Sequence, residues 1–191
     1  MGSAPVIETE RLILRPPTKL DLNDWASRIF ADPDVIRYMP KRDMKPYERA
    51  ERALNVYNKL WAQTPVGGWV VFSKSEEQLI GSCEIDSLDE TGEFELGYAF
   101  CKVSWGKGIA TEAARAVVRF GFETAKLERI MAVVVPENIA SWRVLEHLGF
   151  VYEKKANFYG FDDVAYYVIW RDQLKYYDSF YRVHNNKLSQ V

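Results

Sequence analysis

The segment Trp105-Gly106-Lys107-Gly108-Ile109-Ala110-Thr111 sets two glycines, a lysine and a small alanine directly ahead of a strongly amphipathic stretch. Glycines at 106 and 108 permit backbone conformations that turn several N–H groups toward one point, and a helix beginning there adds its own free N–H groups and partial positive end. Such a loop can hold a pyrophosphate. Gly108 and Ala110 would let the phosphates approach the backbone, and Lys107 offers a mobile charge for a more distal phosphate. No metal is required. The spacing is neither the G-x-G-x-x-G of a dinucleotide fingerprint nor the G-x-x-x-x-G-K-[ST] of a P-loop. A glycine-containing connection with no ligand fits the same letters.

A second constellation begins at Asn138. Asn138 and Ser141 lie three apart at an expected helix start and share a face that Leu145 continues one turn on. This helix follows a buried strand, and a parallel strand pair splaying apart at that point would leave a slot. Unpaired backbone groups at such a gap suit an extended chain carrying amides, such as pantetheine. The plainer alternative makes Asn138 a helix cap and Ser141 a first-turn residue. For acid–base chemistry the leading candidate is Glu95, which strand alternation sets opposite Phe94, Leu96 and Tyr98 and which precedes the glycine loop. Glu84 and Asp86 are alternatives, and all three could instead solvate the polar face of a sheet. Acids near the slot would attract a cationic amine.

These residues need a scaffold, and the hydrophobic pattern supplies one. Arg11 to Arg15 alternates as a strand, and Thr18 with Asp21 opens a helix to about Phe30. A second helix, carrying Ala50, Ala53, Leu54 and Tyr57, ends near Gln63. Trp69 to Phe72, Leu79 to Ile85 and Glu93 to Phe100 form an antiparallel meander. A helix from about Ala110 buries Ala113, Ala114, Val117 and Gly121, with Glu112, Arg115, Arg119, Glu123 and Lys126 on its wet side. Ile130 to Val135 is a strand buried on both faces, and a helix from Asn138 stops at Gly149. Phe150 to Glu153 and Val164 to Trp170 complete an α/β (α+β mixed) arrangement of about seven strands in a central mixed sheet. Phe158, Tyr159, Phe161, Tyr166, Tyr167 and Trp170 give the last hairpin an aromatic surface that could flank an acceptor channel, join a dimer interface or pack as core.

Composition narrows the partners. With 191 residues, 48% of them hydrophobic, the chain suffices for one compact core, and a net charge of -2 from intermixed signs offers no basic field for nucleic acid. Cys83 and Cys101 have no metal or dithiol spacing, which fits a reduced, cytoplasmic setting. Met1 to Thr9 lacks the features of a signal peptide, and no apolar run is long enough to span a membrane. Asn185 to Val191 reads as a polar tail.

The chain resembles the GNAT acetyltransferase superfamily, whose cofactor signature is Q/R-x-x-G-x-G/A at a strand-to-helix junction. Gly108 and Ala110 match its two small positions, while Trp105 departs from the first. Glu95-Leu96-Gly97-Tyr98, Ala110-Thr111-Glu112-Ala113, Asn138 through Ser141 to Gly149-Phe150, and the opening Glu8 to Arg15 are similar to the branch containing ribosomal-protein serine/alanine N-terminal acetyltransferases (RimJ/RimL-like), where tryptophan at the first position is usual. The resemblance spans residues 8 to 172 as a single domain and leaves 173 to 191 as an extension. It implies a mostly antiparallel sheet with helices on both faces and a splayed parallel pair. It further implies that backbone N–H groups of Gly106, Lys107, Gly108, Ile109, Ala110 and Thr111 take the pyrophosphate of acetyl-CoA. Phe100 and its neighbour Cys101 would pair with pantetheine, and Asn138 would support the same arm.

The implied reaction is direct acetyl transfer to a primary amine, on a monomer or homodimer. An α-amine of pKa about 7.7 to 8.0 needs less help from a base than a lysine near 10.4. Many superfamily members place a thiolate-protonating tyrosine where this chain has Leu145. Ser141 matches a serine given that role in the resembling branch and could hydrogen-bond the sulfur. The expected acceptor is a protein or peptide N-terminus. A small amine (polyamine, amino acid or antibiotic) is an alternative acceptor, and a non-catalytic acyl-CoA-binding module is an alternative function.

Overall fold

A computed structural model of the chain describes residues 4–40, 43–88, 91–175 and 179–184. The polar tail expected from Asn185 lies outside them. Among the described residues nine strands form one sheet: β1 (Val6–Thr9), β2 (Leu12–Arg15), β3 (Gly68–Ser73), β4 (Gln78–Leu88), β5 (Glu93–Phe100), β6 (Arg129–Val134), β7 (Val151–Phe158), β8 (Phe161–Trp170) and β9 (Tyr181–His184). Their spatial order is β7-β8-β6-β5-β4-β3-β2-β1-β9, antiparallel throughout except where β5 meets β6. The α/β class with a mostly antiparallel sheet is as expected. The two strands beyond the seven read from sequence, β1 and β9, pair with each other in a four-residue ladder. Both are too short to show a period; β1 is defined by its pairing with β2 and β9, and β9 by its pairing with β1.

Among the described residues, five α-helical segments accompany the sheet: α1 (Leu22–Trp25), α2 (Pro33–Ile36), α3 (Pro46–Gln63), α4 (Ile109–Glu123) and α5 (Ile139–Leu148). α1 continues from a 3-10 turn at Lys19–Asp21 into a π-helical turn at Ala26–Phe30. Asp21 anchors this entry, accepting from the Thr18 N–H at 2.7 Å and from Arg15 at 2.5 and 2.8 Å. The buried faces of α1 and α3 cover one side of the sheet, with the Tyr57 ring lying over Gly68. α4 and α5 cover the other. Gly121 makes the close approach of α4 possible, since a Cβ there would stand 2.8 Å from Ile85 Cδ1 and 2.9 Å from Ile130 Cδ1.

The flank of α4 differs from the wet side read in the sequence. Glu112 is largely buried against Thr9 and Arg11, and Arg119 lies under the Tyr181 ring at 4.2 Å. The helical period places these residues away from the sheet. It is β9 and the β1–β2 turn, distant in sequence, that cover them. Among the described residues no helix is long and apolar enough to cross a membrane.

Candidate active site

The site begins with a strand pair that stops pairing. β5 and β6 run parallel but register at one position, Glu95 opposite Met131, and beyond it the two strands part. Cys101 N–H donates to Ile80 O at 2.9 Å. Backbone groups alternate edges along a strand, so odd-numbered residues here bond β4, whereas Tyr98 and Phe100 turn theirs toward the gap. The Phe100 carbonyl is already taken, because the Trp105 indole N–H donates to it at 2.8 Å. Phe100 N–H and both backbone groups of Tyr98 remain on the open edge. Cys101 faces elsewhere: its N–H serves β4 and its buried thiol lies 3.1 Å from the Ser104 hydroxyl.

The glycine loop lies at the end of the same strand. Gly106 and Gly108 have φ of +70° and +72°, and Gly108 is the N-cap of α4. Among the described residues, the backbone N–H groups from Gly106 through Thr111 donate no hydrogen bond, and the next, Glu112, donates to Gly108 O at 3.0 Å. Six consecutive free donors at a helix N-terminus fit an anionic diphosphate. Arg11 fastens this loop from a hundred residues away. Its Nη1 donates to Lys107 O at 2.9 Å and its Nε to Glu112 at 2.6 Å, and Glu112 also accepts from the Thr9 hydroxyl at 2.6 Å. Burial pushes the Glu112 carboxyl up, but the hydrogen bonds from Thr9 and Arg11 outweigh it and hold its pKa below the ordinary value.

Across the gap, Asn138 caps α5, its Oδ1 accepting from Ser141 N–H at 3.3 Å. Its carboxamide NH2 is not used by that cap. The Ser141 and Tyr98 hydroxyls lie 2.8 Å apart, either able to donate, and the carbonyl of Ser141, 3.1 Å from the Tyr98 hydroxyl, competes for the phenol proton. Burial pushes the Tyr98 phenol well above its ordinary pKa. Leu145 is fully buried, so the position at which many of the resembling enzymes carry a tyrosine belongs to the core here.

Glu95 points to the opposite sheet face, into a cavity of about 580 Å3. It is 9% exposed and accepts a hydrogen bond from the Tyr159 hydroxyl. Burial, and secondarily the Asp86 charge, pushes its pKa up to about 7, although Tyr159 and the Val133 backbone pull the other way. Asp86 is its cross-strand neighbour, and Glu84 lies two residues along on the same face. Glu84 is seated between glycines, paired with Gly68 on one side and Gly97 on the other. A Cβ on Gly97 would lie 2.4 Å from Glu84 Oε1, and one on Gly68 would lie 2.1 Å from the Tyr57 ring. Tyr57 donates to Glu84 Oε2 at 2.5 Å. Burial raises the Glu84 pKa to about 7 as well, with Asp86 and Glu95 adding to it. Neither Glu84 nor Glu95 forms an ion pair among the described residues. Two carboxyls near neutrality, one buried and one partly buried, in an open cavity can accept a proton or bind a cation.

The fold thus brings Glu95, Asn138, Ser141 and the backbone of Phe100 around one gap, with the loop from Gly106 to Thr111 at the end of the same strand. Sequence reasoning missed three hydroxyl partners, Tyr57, Tyr98 and Tyr159, and the loop anchor Arg11. Tyr57 and Tyr98 occupy regular positions in elements that read as packing. The sequence places Tyr159 among the hairpin aromatics that could flank an acceptor channel, but nothing local marks its hydroxyl as the partner of Glu95.

Known proteins resemble this chain in sequence and in fold. The family model described as "Acetyltransferase (GNAT) domain" matches residues 11–151. An uncharacterized N-acetyltransferase p20 of Bacillus licheniformis is 33% identical over 143 residues, covering 74% of this chain and 80% of that protein. The [ribosomal protein uS5]-alanine N-acetyltransferase of Escherichia coli is 31% identical, with 83% of this chain and 89% of that protein covered. The crystal structure of ribosomal-protein-S5-alanine acetyltransferase from Vibrio fischeri superposes with a TM-score of 0.74 at 26% identity, covering 89% of this chain and 98% of that one.

Proposed function

The chain belongs to the GNAT acetyltransferase family, and from that premise we propose that it acetylates the α-amino group of a protein or peptide N-terminus directly from acetyl-CoA. The observation that carries this reading is the position of Glu95, buried at the last paired rung of β5 and β6 and opening into an acidic cavity. Its likeness to enzymes named for ribosomal-protein alanine acetylation supports that choice of acceptor.

Acetyl-CoA supplies an acetyl group already activated as a thioester. The chain's own residues do the rest. Backbone N–H groups of Gly106, Lys107, Gly108, Ile109, Ala110 and Thr111 would receive the pyrophosphate, with Arg11 and Glu112 keeping the loop rigid. Phe100 N–H and the backbone of Tyr98 would bond the pantetheine amides as a substitute strand, and the free amide NH2 of Asn138 would support the same arm. Cys101 would serve by fixing the turn after β5 and not by contact. Glu95 would take a proton from the acceptor ammonium, a step matched to an α-amine because their pKa values lie about one unit apart. Ser141 would donate to the leaving sulfur in the arrangement in which the Tyr98 hydroxyl donates to Ser141 Oγ and leaves the serine proton free.

A small amine is the second acceptor class, favoured by the size of the cavity and its apolar walls of Phe30, Met39, Met44, Phe158 and Phe161. One assay separates the readings: thiol release from acetyl-CoA against amino-terminal peptides, lysine peptides, polyamines and aminoglycosides. The proposal expects the amino-terminal peptides to give the highest kcat/KM. A higher kcat/KM for a polyamine or aminoglycoside would replace it with the small-amine reading, and cofactor binding without turnover on any acceptor would make the chain a binding module.

A further inference from the structure

Tyr159 and Gly160 are the two residues between β7 and β8, and both have positive φ, +56° and +81°. Left-handed conformation at both positions is the type I′ hairpin turn, normally filled by asparagine, aspartate or glycine. A tyrosine there is strained, and strain of this kind persists where the surroundings over-determine the conformation. The surroundings are specific. The Tyr159 ring stands against Phe158 at 5.9 Å and is half exposed, while its hydroxyl reaches inward to Glu95 Oε2, a residue 64 positions away. A side chain disfavoured by its own backbone therefore carries one directed bond, to the carboxylate at the point where the sheet opens.

We propose that Tyr159 is a positioning residue of the acceptor site, its hydroxyl holding the Glu95 carboxylate at the end of the β5–β6 pairing so that the second oxygen is presented to the incoming amine. This rests on Glu95 serving as the base. Tyr159 Oη is a donor to the ionised carboxylate, so its removal leaves that form one hydrogen bond poorer and the proton more tightly held. The other titratable and charged groups facing the cavity are Glu84 and Asp86 on β4, Arg49, Arg52 and Tyr57 on α3, and Tyr38. Tyr57 is committed to Glu84, and Tyr98, on the opposite face, to Ser141. Burial and the Glu95 charge push the Tyr159 phenol itself up, which keeps it a donor across the working pH range.

The test is the pH dependence of Tyr159→Phe, which keeps the ring and the turn. With an amino-terminal peptide as acceptor, the ratio of wild-type to variant kcat/KM cancels the ionisation of the peptide amine. The expected ratio is already above one near pH 9, where only the lost positioning is read, and rises about tenfold further toward pH 6, the effect of moving the base by about one pH unit. A ratio independent of pH, whatever its size, overturns the proposal, because lost packing would act equally at every pH. Tyr152→Phe, altering an exposed residue of β7 that contacts Tyr167 edge-on, serves as control and should give a flat ratio. If no acceptor turns over, the reading of the function fails, yet Tyr159 remains testable by urea unfolding. Stability of Tyr159→Phe should go on declining to a higher pH than that of wild type, and parallel curves between about pH 5 and 9 would refute the coupling.

Discussion

Glu95→Gln should make the protein more stable, and by an amount that grows with pH. A carboxyl whose pKa rises from 4.5 to about 7 on folding binds more protons folded than unfolded between those values. Stability is therefore fully present below the unfolded value and is lost as pH rises through that window. At about 1.4 kcal/mol per pH unit, the cost is about 3 kcal/mol once the group is ionised near pH 8.5 and still about 1 kcal/mol near pH 5.5. Glutamine matches the protonated acid in shape, can accept the Tyr159 hydrogen bond and cannot ionise. The variant's advantage in urea unfolding should then be about 2 kcal/mol larger near pH 8.5 than near pH 5.5, or roughly 4 to 8 °C in melting temperature for a chain of this length. Ionised Glu84 lies on the same sheet face, and relieving its repulsion acts in the same direction. An advantage equal at the two pH values, or a variant less stable than wild type near pH 8.5, would refute the account of Glu95 as a buried carboxyl without a cation.

The same variant should lose acetyl transfer by about 10²- to 10⁴-fold in kcat, measured by thiol release with acetyl-CoA saturating, as expected when a general base is removed. Gly97→Ala should displace the Glu84 carboxylate, which lies 2.4 Å from the new Cβ. A stability loss of about 1 to 3 kcal/mol in denaturant melts, with a raised acceptor KM, is the expected result. Gly108→Trp places a bulky side chain at a residue with φ of +72° in the loop proposed to take the pyrophosphate and should weaken acetyl-CoA binding more than about tenfold by calorimetry. Arg11→Ala removes the bonds to Lys107 O and Glu112. Its expected effect is a smaller loss of acetyl-CoA affinity, about three- to tenfold, with acceptor KM unchanged.

Much of the scaffold was legible because it is written in local periods. The meander, the strand from Arg129 to Val134 and the helices ending at Gln63 and Gly149 follow apolar repeats and punctuating residues that act within a few positions. The glycine loop was legible for the same reason, since φ of +70° and +72° at 106 and 108 is a local demand that glycine meets. Alternation along one strand sufficed to put Glu95 on the face opposite Leu96 and Tyr98. What gave those residues their chemistry was not local. Glu95 could have been one more solvated acid of a polar sheet face. Burial to 9% and the rung shared with Asp86 raise its pKa to about 7 against the pull of the Tyr159 hydroxyl, and all three depend on chain segments brought together by folding. Arg11 and Glu112, 101 positions apart, read as an end of a strand and the wet side of a helix until the fold sets them side by side. The sequence by itself determined where the backbone could turn, which faces had to be buried and where a helix would begin behind a glycine loop. Only the tertiary structure decided which polar side chains meet, because hydrogen bonds and pKa shifts depend on distance and burial, and neither has a period along the chain.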